Sequence, residues 1–345
     1  MQGLLPSTLL SLVLVCCGDS SEALKKDAGP VELKGAGATL PHMAYKKWFE
    51  DYKQENKRLT ITYEAIGSGD GIKKLKEGAV DFAATDVPLT DQELAGFPVK
   101  PLHFPMLVGA VVPVYNVPSL KTELKLTGEI LADIYLGRIR EWNDPDIVEL
   151  NPGVNLPPSR IIPIHRGEPS GTTFLFTGFL ANTSKRWKDN LGQGMDVEWP
   201  HGQDVSSNEA MSAMVKKTPN SLGYVELSYA VQDNLTIAPV RNQAKRFLKA
   251  TLQGVTLATD SVKQMPDDFR ISIANGEGPD AYPMVTYTWI LVPSKIGDSA
   301  KRMALKEFLR WAYEKGQPAA MDLEYGTVPQ PVAEKATLQL RQVQQ

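Results

Sequence analysis

Three times along this chain a run of strand-forming residues ends in small or hydroxyl-bearing residues and passes straight into a helical pattern. Val31 to Ala36 reads as a strand and leads through Gly35-Ala36-Gly37-Ala38-Thr39 into a helix over Thr39 to Gln54, where Tyr45, Trp48, Phe49 and Tyr52 recur at helical spacing. The alternating stretch Thr60 to Ile66 leads through Gly67-Ser68-Gly69-Asp70-Gly71 into a short helix with Ile72 and Leu75 three apart, and Val80 to Ala84 follows as another strand. Ile161 to Ile164 leads through Arg166-Gly167-Glu168-Pro169-Ser170-Gly171-Thr172 into a helix over Ser170 to Asn182. A repeated order of strand, small-residue turn and helix predicts an α/β fold whose parallel strands deliver their turns to one edge of a sheet.

The length of 345 residues exceeds what one core usually fills, so two domains are expected. Leu102 to Val117 is nearly continuous in apolar residues, but Pro105, Pro113 and His103 interrupt it, which favours buried strands over a membrane span. Ile130 to Leu136 reads as a helix, and Leu222 to Leu227 and Pro283 to Pro293 read as strands. A last helix over Ala300 to Lys315 is expected to turn Met303, Phe308, Leu309 and Trp311 toward a core. The net charge of −3 argues against a general polyanion binder, so no nucleic-acid partner is expected and any anion must be held locally.

Both cysteines, Cys16 and Cys17, lie directly behind the apolar run Leu9 to Val15. That run is short and N-terminal, the pattern of an export signal rather than a spanning helix. Leu14-Val15-Cys16-Cys17 resembles a bacterial lipobox, with Cys16 where a Gly, Ala or Ser is usual, and makes Cys17 the candidate for lipid modification. Residues 1–17 are therefore read as a signal peptide with a lipobox-like end and residues 18–30 as a polar tether. Cleavage elsewhere, giving a secreted protein, is the alternative.

The turn segments carry the chemistry of a cage for a small tetrahedral oxyanion. Glycines let backbone approach a ligand, hydroxyls donate without adding charge, and the first N–H groups of a helix attract anions. Thr39 and Ser68 stand at two such turns and could equally be ordinary helix caps. Asp86 ends the third strand; its carboxylate accepts but does not donate, so it admits an oxyanion that carries a proton and repels one that does not. Arg166 offers a planar fork of donors, Ser170, Gly171 and Thr172 open a helix, and Glu168 is placed to hold and partly neutralise Arg166. Asp70 is expected to point away and to favour its own helix N-terminus.

A nucleophilic enzyme is a competing reading, because Ser170 precedes a glycine and four histidines stand at His42, His103, His165 and His201. No G-x-S-x-G elbow is present, His165 should alternate to the face opposite Arg166, and the histidines lack metal-ligand spacing. No metal or cofactor is expected.

With these residues in place, the chain resembles the phosphate-binding proteins of bacterial phosphate ABC transporters. The resemblance rests on Gly35 to Pro41, Gly67-Ser68-Gly69, Val80-Asp81-Phe82, Asp86, Asp133 to Gly137, Ser170-Gly171-Thr172 and Gly223-Tyr224-Val225-Glu226. It implies a periplasmic-binding-protein fold of type II-like form: two α/β lobes joined by two hinge crossings, with phosphate in the cleft. Lobe 1 would be 31–113 plus 287–345 and lobe 2 114–286, with crossings near Val112 to Asn116 and Pro283 to Tyr287. By matching motif, Thr39, Leu40, Ser68, Asp86, Arg166, Ser170, Gly171 and Thr172 would contact phosphate, Leu40 and Gly171 through backbone donors. Leu40 replaces an aromatic residue found in some relatives. The implied protein is a monomeric, non-enzymatic receptor in the periplasm or at the outer face of the cell membrane that hands phosphate to permease subunits. A phosphomonoesterase using the same cage and a surface adhesion or scavenging protein remain as alternatives.

Overall fold

Each glycine-bearing turn sits at the carboxyl end of a strand. The computed structural model describes residues 29–260, 262 and 264–345. The export-signal run, Cys17 and most of the tether lie outside the described residues. Contacts group Val31–Gln345 into one unit.

Strand β1 (Val31–Gly37) lies between β2 (Leu59–Ala65) and β3 (Phe82–Thr85), parallel to both, with Gly35 opposite Tyr63 on one side and Phe82 on the other. The next strands are β4 (Pro101–Asn116), β5 (Ile162–Arg166), β6 (Gln203–Val205) and β7 (Ser221–Glu226). Then come β8 (Thr236–Ile237), β9 (Val240–Arg241), β10 (Phe247–Leu248) and β11 (Val285–Pro293). Nine of these form one sheet in the order β2-β1-β3-β11-β4-β7-β5-β6, with β8 on β4, while β9 and β10 pair separately. Crossovers between parallel strands, with antiparallel insertions at β4 and β11, make this a mixed α/β architecture.

The apolar run is β4, a 16-residue strand buried along almost its whole length. Residues 101–110 pair with β11 and residues 111–116 pair with β7, so the strand changes partner between Ala110 and Val111. Pro105 falls opposite Trp289, where the register with β11 shifts; a residue without an N–H is tolerated at such an irregularity.

Six helices matter below. Helix α1 (His42–Glu55) buries Tyr45, Trp48 and Tyr52, and Trp48 donates from Nε1 to the Gly316 carbonyl at 2.6 Å. It starts three residues beyond Thr39, whose side chain caps nothing, contrary to expectation. Helix α2 (Ser68–Lys76) has Gly67 as its N-cap and Asp70 in its first turn. Helix α3 (Gly171–Thr183) buries nine residues spread around its circumference, as a helix covered by neighbours does. Helices α4 (Asn208–Lys217) and α5 (Leu227–Gln232) flank β7.

Helix α6 (Ser299–Trp311) is capped by Asp298, which accepts from the Ala300 and Lys301 N–H groups. It buries Ala304, Leu305, Phe308 and Leu309, whereas Met303 is 57% exposed. The expectation for Met303 fails because the buried stripe is centred one position later in the turn. Among the described residues no helix is long and apolar enough to cross a membrane.

Candidate anion-binding site

Gly37 joins the first three turns. Its φ is +137°, and an added Cβ would collide with the Ala84 carbonyl, so the position requires glycine. The freed carbonyl accepts from the N–H groups of Ile66 at 3.0 Å and Gly67 at 2.9 Å, and Ala38 donates to the Ala84 carbonyl at 2.9 Å. The turns after β1, β2 and β3 are thereby pinned to one another at the carboxyl edge of the parallel strands. Thr39, Ser68 and Asp86 are all buried there. The Ser68 hydroxyl accepts from the Asp86 N–H at 3.2 Å, and the Asp86 carbonyl accepts from Thr286 Oγ1 at 3.1 Å.

The facing wall grows from β5 and α3. Arg166 is the last residue of β5, and its N–H donates to the Tyr224 hydroxyl at 3.1 Å. Its guanidinium is buried: Nη2 donates to Glu168 Oε1 and, at 3.1 Å, to Thr39 Oγ1, while Nε and Nη1 have no partner among the described residues. Ser170 is the N-cap of α3 and accepts from the Thr173 N–H at 3.3 Å. The N–H groups of Gly171 and Thr172 have no intrahelical acceptor and mark the positive end of the helix dipole. A Cβ on Gly171 would lie 2.6 Å from Asp86 Oδ2 and 2.7 Å from the Ser68 hydroxyl, so the two walls meet at this glycine. They also meet where Gly69 donates to the Pro169 carbonyl at 3.0 Å.

The polar groups here are held with unused capacity. Neither Asp86 oxygen has a hydrogen-bond partner among the described residues. Burial pushes the Asp86 carboxyl up to about 7, against the pull of the nearby Thr288 hydroxyl, the Arg166 guanidinium and the Ser68 hydroxyl. Burial likewise raises Glu168, opposed by Arg166. Because Glu168 offsets much of the Arg166 charge, the cluster presents directed donors more than a net positive field. Asp86 at the opposite side, once ionised, supplies a carboxylate with both oxygens unpartnered among the described residues. Donors converging with such an acceptor suit a tetrahedral oxyanion that bears a proton.

The structure brings Thr39, Ser68, Asp86, Arg166, Ser170, Gly171 and Thr172 together with the half-buried Glu168, while Leu40 is buried next to Thr39 with its carbonyl accepting from the Tyr325 hydroxyl at 2.7 Å. His165 alternates away as expected: its ring stacks on Trp199 at 4.8 Å and its Nδ1 lies 3.1 Å from Asp204. Among the described residues no group of three or more His, Cys, Asp or Glu side chains could hold a metal ion.

Two residues in the cluster were missed from the sequence. Asn208, fully buried at the start of α4, donates from Nδ2 to Thr39 Oγ1 at 2.9 Å and to Thr172 Oγ1 at 3.1 Å. Glu226, at the end of β7, is pushed up to about 8 by burial; its Oε2 accepts from the Ser228 N–H at 2.9 Å and from the Ser228 hydroxyl. Ser206-Ser207-Asn208 reads locally as an ordinary helix start, and only the position of Glu226 in the Gly223-Tyr224-Val225-Glu226 block singled it out at all.

A PBP superfamily domain matches residues 23–315 of the chain. The chain is 37% identical over 309 residues to the phosphate-binding protein PstS of Pasteurella multocida, covering 89% of each chain. It is 36% identical over 301 residues to PstS of Xylella fastidiosa, covering 87% of this chain and 82% of that relative. Among solved structures, a phosphate-binding protein from Stenotrophomonas maltophilia superposes with a TM-score of 0.69 at 18% identity, covering 89% of this chain and 93% of that one, a likeness of fold. A mixed α/β sheet of this order, a buried cluster of polar groups at its strand ends and relatives matched over nearly the whole length agree: the chain belongs to the PBP superfamily and, within it, to the family of the PstS phosphate-binding proteins.

Proposed function

We propose that this chain binds inorganic phosphate outside the cytoplasmic membrane and delivers it to an ABC-type importer, as a receptor and not as an enzyme. The observation that carries this reading is the pairing, within one buried cluster, of unpartnered donors on Arg166 with an unpartnered acceptor on Asp86. Thr39, Ser68, Arg166, Ser170, Thr172 and the backbone of Leu40 and Gly171 are the donors, and Asp86 receives the remaining phosphate proton. The lobes are 31–113 plus 287–345 and 114–286. The change of partner in β4 between Ala110 and Val111 supports a crossing close to the first boundary. Thr39, Ser68 and Asp86 then face Arg166, Ser170 and Thr172, and phosphate stabilises the closed form because only that form contacts it from both sides. Permease subunits would read the closed shape of a monomeric receptor.

Titration calorimetry of the purified chain is expected to show one phosphate bound per chain, far weaker sulfate binding and no release of product from an aryl phosphate. Equal affinity for sulfate would sink the part given to Asp86. Aryl phosphate hydrolysis lost on Ser170→Ala would favour the enzyme reading instead.

The receptor is anchored, in this proposal, by lipid on Cys17; several acyl chains hold a protein stably where one alone does not. Cys17→Ser is expected to move the protein from the membrane fraction to the soluble fraction, read by immunoblot. Unchanged membrane association would exclude the anchor.

A further inference from the structure

Three consecutive carbonyls in the turn after β1 each accept from a tyrosine hydroxyl. Tyr63 on β2 donates to the Ala38 carbonyl at 2.7 Å, Tyr229 on α5 to the Thr39 carbonyl at 3.2 Å, and Tyr325 to the Leu40 carbonyl at 2.7 Å. The Thr39 carbonyl has a second donor in the His42 N–H, at the longer distance of 3.4 Å. Burial pushes the Tyr229 phenol up, so its hydroxyl keeps the hydrogen that it donates.

A trans peptide unit is planar, and its carbonyl points opposite to the N–H of the next residue. A bond that holds a carbonyl therefore aims the amide that follows it. Tyr63 in this way aims the Thr39 N–H, and Tyr229 aims the Leu40 N–H. Pro41 comes next and has no N–H, so the series ends there. In the phosphate reading above, the Leu40 N–H is the backbone donor on this wall. In the lobe division proposed with it, Tyr63 and the turn share one lobe while Tyr229 belongs to the other. The bond from Tyr229 crosses the cleft, and parting the lobes breaks it while the bond from Tyr63 survives.

We propose that Tyr229 is a positioning residue for phosphate binding: on closure its hydroxyl takes the Thr39 carbonyl and turns the Leu40 N–H onto the ligand. The inference rests on the phosphate reading above. Tyr229 acts through the peptide plane and not by touching the anion. With the lobes apart, the Thr39 carbonyl keeps only the longer bond from His42, and the plane between Thr39 and Leu40 is free to rock. The closed form is then favoured twice, by one bond between the lobes made only there and by one ligand donor aligned only there.

Tyr229→Phe removes the hydroxyl and keeps the ring; Tyr63→Phe removes the corresponding bond inside one lobe and serves as the comparison. Calorimetry is expected to show phosphate affinity about three- to tenfold lower in Tyr229→Phe, the worth of one neutral hydrogen bond. Stopped-flow mixing should place that loss in faster dissociation, because the bond exists only after closure. In chains carrying nitrogen-labelled leucine, the downfield shift of the Leu40 amide proton on adding phosphate should be smaller in Tyr229→Phe than in the parent. Thermal unfolding of phosphate-free Tyr229→Phe should match the parent, whereas Tyr63→Phe should unfold earlier with or without phosphate. A merely structural hydroxyl would destabilise the phosphate-free chain and leave the Leu40 shift as in the parent. That pair of results, or parental affinity in Tyr229→Phe, would overturn the inference while leaving the carrier reading intact. Failure of the parent chain to bind phosphate at all would overturn the carrier reading, and this inference with it.

Discussion

Replacing Arg166 by methionine is expected to weaken phosphate binding by about 10²- to 10⁴-fold, the largest effect of any single substitution in the cluster. The guanidinium is buried at the end of β5, with Nε and Nη1 unpartnered and Nη2 already held by Thr39 and Glu168. Two charge-assisted hydrogen bonds to an anion, each worth about 1.5–3 kcal/mol, amount to that range. A further loss comes from Glu168, which methionine leaves without its counter-charge next to the anion. Arg166→Met combined with Glu168→Gln should therefore bind more tightly than Arg166→Met alone. Arg166→Lys should restore only part of the affinity, because an ammonium does not reproduce the fork. Calorimetric titration of the three variants checks these orderings, and parental affinity in Arg166→Met would remove Arg166 from the proposed site.

Asp86→Asn should act on selectivity more than on affinity. A carboxylate facing a fully ionised oxyanion at about 4 Å, with an effective dielectric of about 20, repels it by roughly 4 kcal/mol, or about three decades. The amide removes that repulsion and adds a donor, so sulfate binding should rise by about two to three decades while phosphate binding changes far less. Competition between the two anions measures it; an unchanged ratio would show that discrimination lies elsewhere.

The same substitution has a pH signature in phosphate-free buffer. Burial holds the Asp86 proton in the folded state up to about 7, whereas its ordinary value is 3.8. The folded state therefore binds more protons than the unfolded chain across that window, and stability declines as pH rises through it, by an amount on the order of 4 kcal/mol. Glu226, raised to about 8, adds a decline of the same sign that reaches slightly higher. Urea unfolding from about pH 4 to about pH 8 should show a shallower decline in Asp86→Asn than in the parent. Equal slopes would mean that the Asp86 carboxyl is not held protonated.

The order of strand, small-residue turn and helix was legible because each step is local. Alternation in Thr60 to Ile66, helical spacing in Tyr45, Trp48 and Tyr52, and prolines in an otherwise apolar run all act within a few residues. The structure places β2, α1 and β4 on those stretches. Thr39 shows where locality ends. As a residue before a helix it looked like a cap, yet Arg166 and Asn208 compete for its oxygen from 127 and 169 positions away, and the helix begins without it. Met303 was misplaced for a related reason, since Phe308 and Leu309 define a core face whose centre depends on what packs against it.

What the sequence by itself determined is the fold class and the chemical types at the strand ends: glycines, hydroxyls, one guanidinium and one carboxylate, each written into a local pattern. What only the tertiary structure decided is how the hydrogen-bonding capacity of those groups is shared. Whether Arg166 keeps two donors free, whether Asp86 is shielded enough to hold its proton, and whether Asn208 reaches both threonines depend on burial and on partners distant in the chain. A hydrogen bond is spent by whichever group stands nearest in space, and no spacing along the chain records that choice.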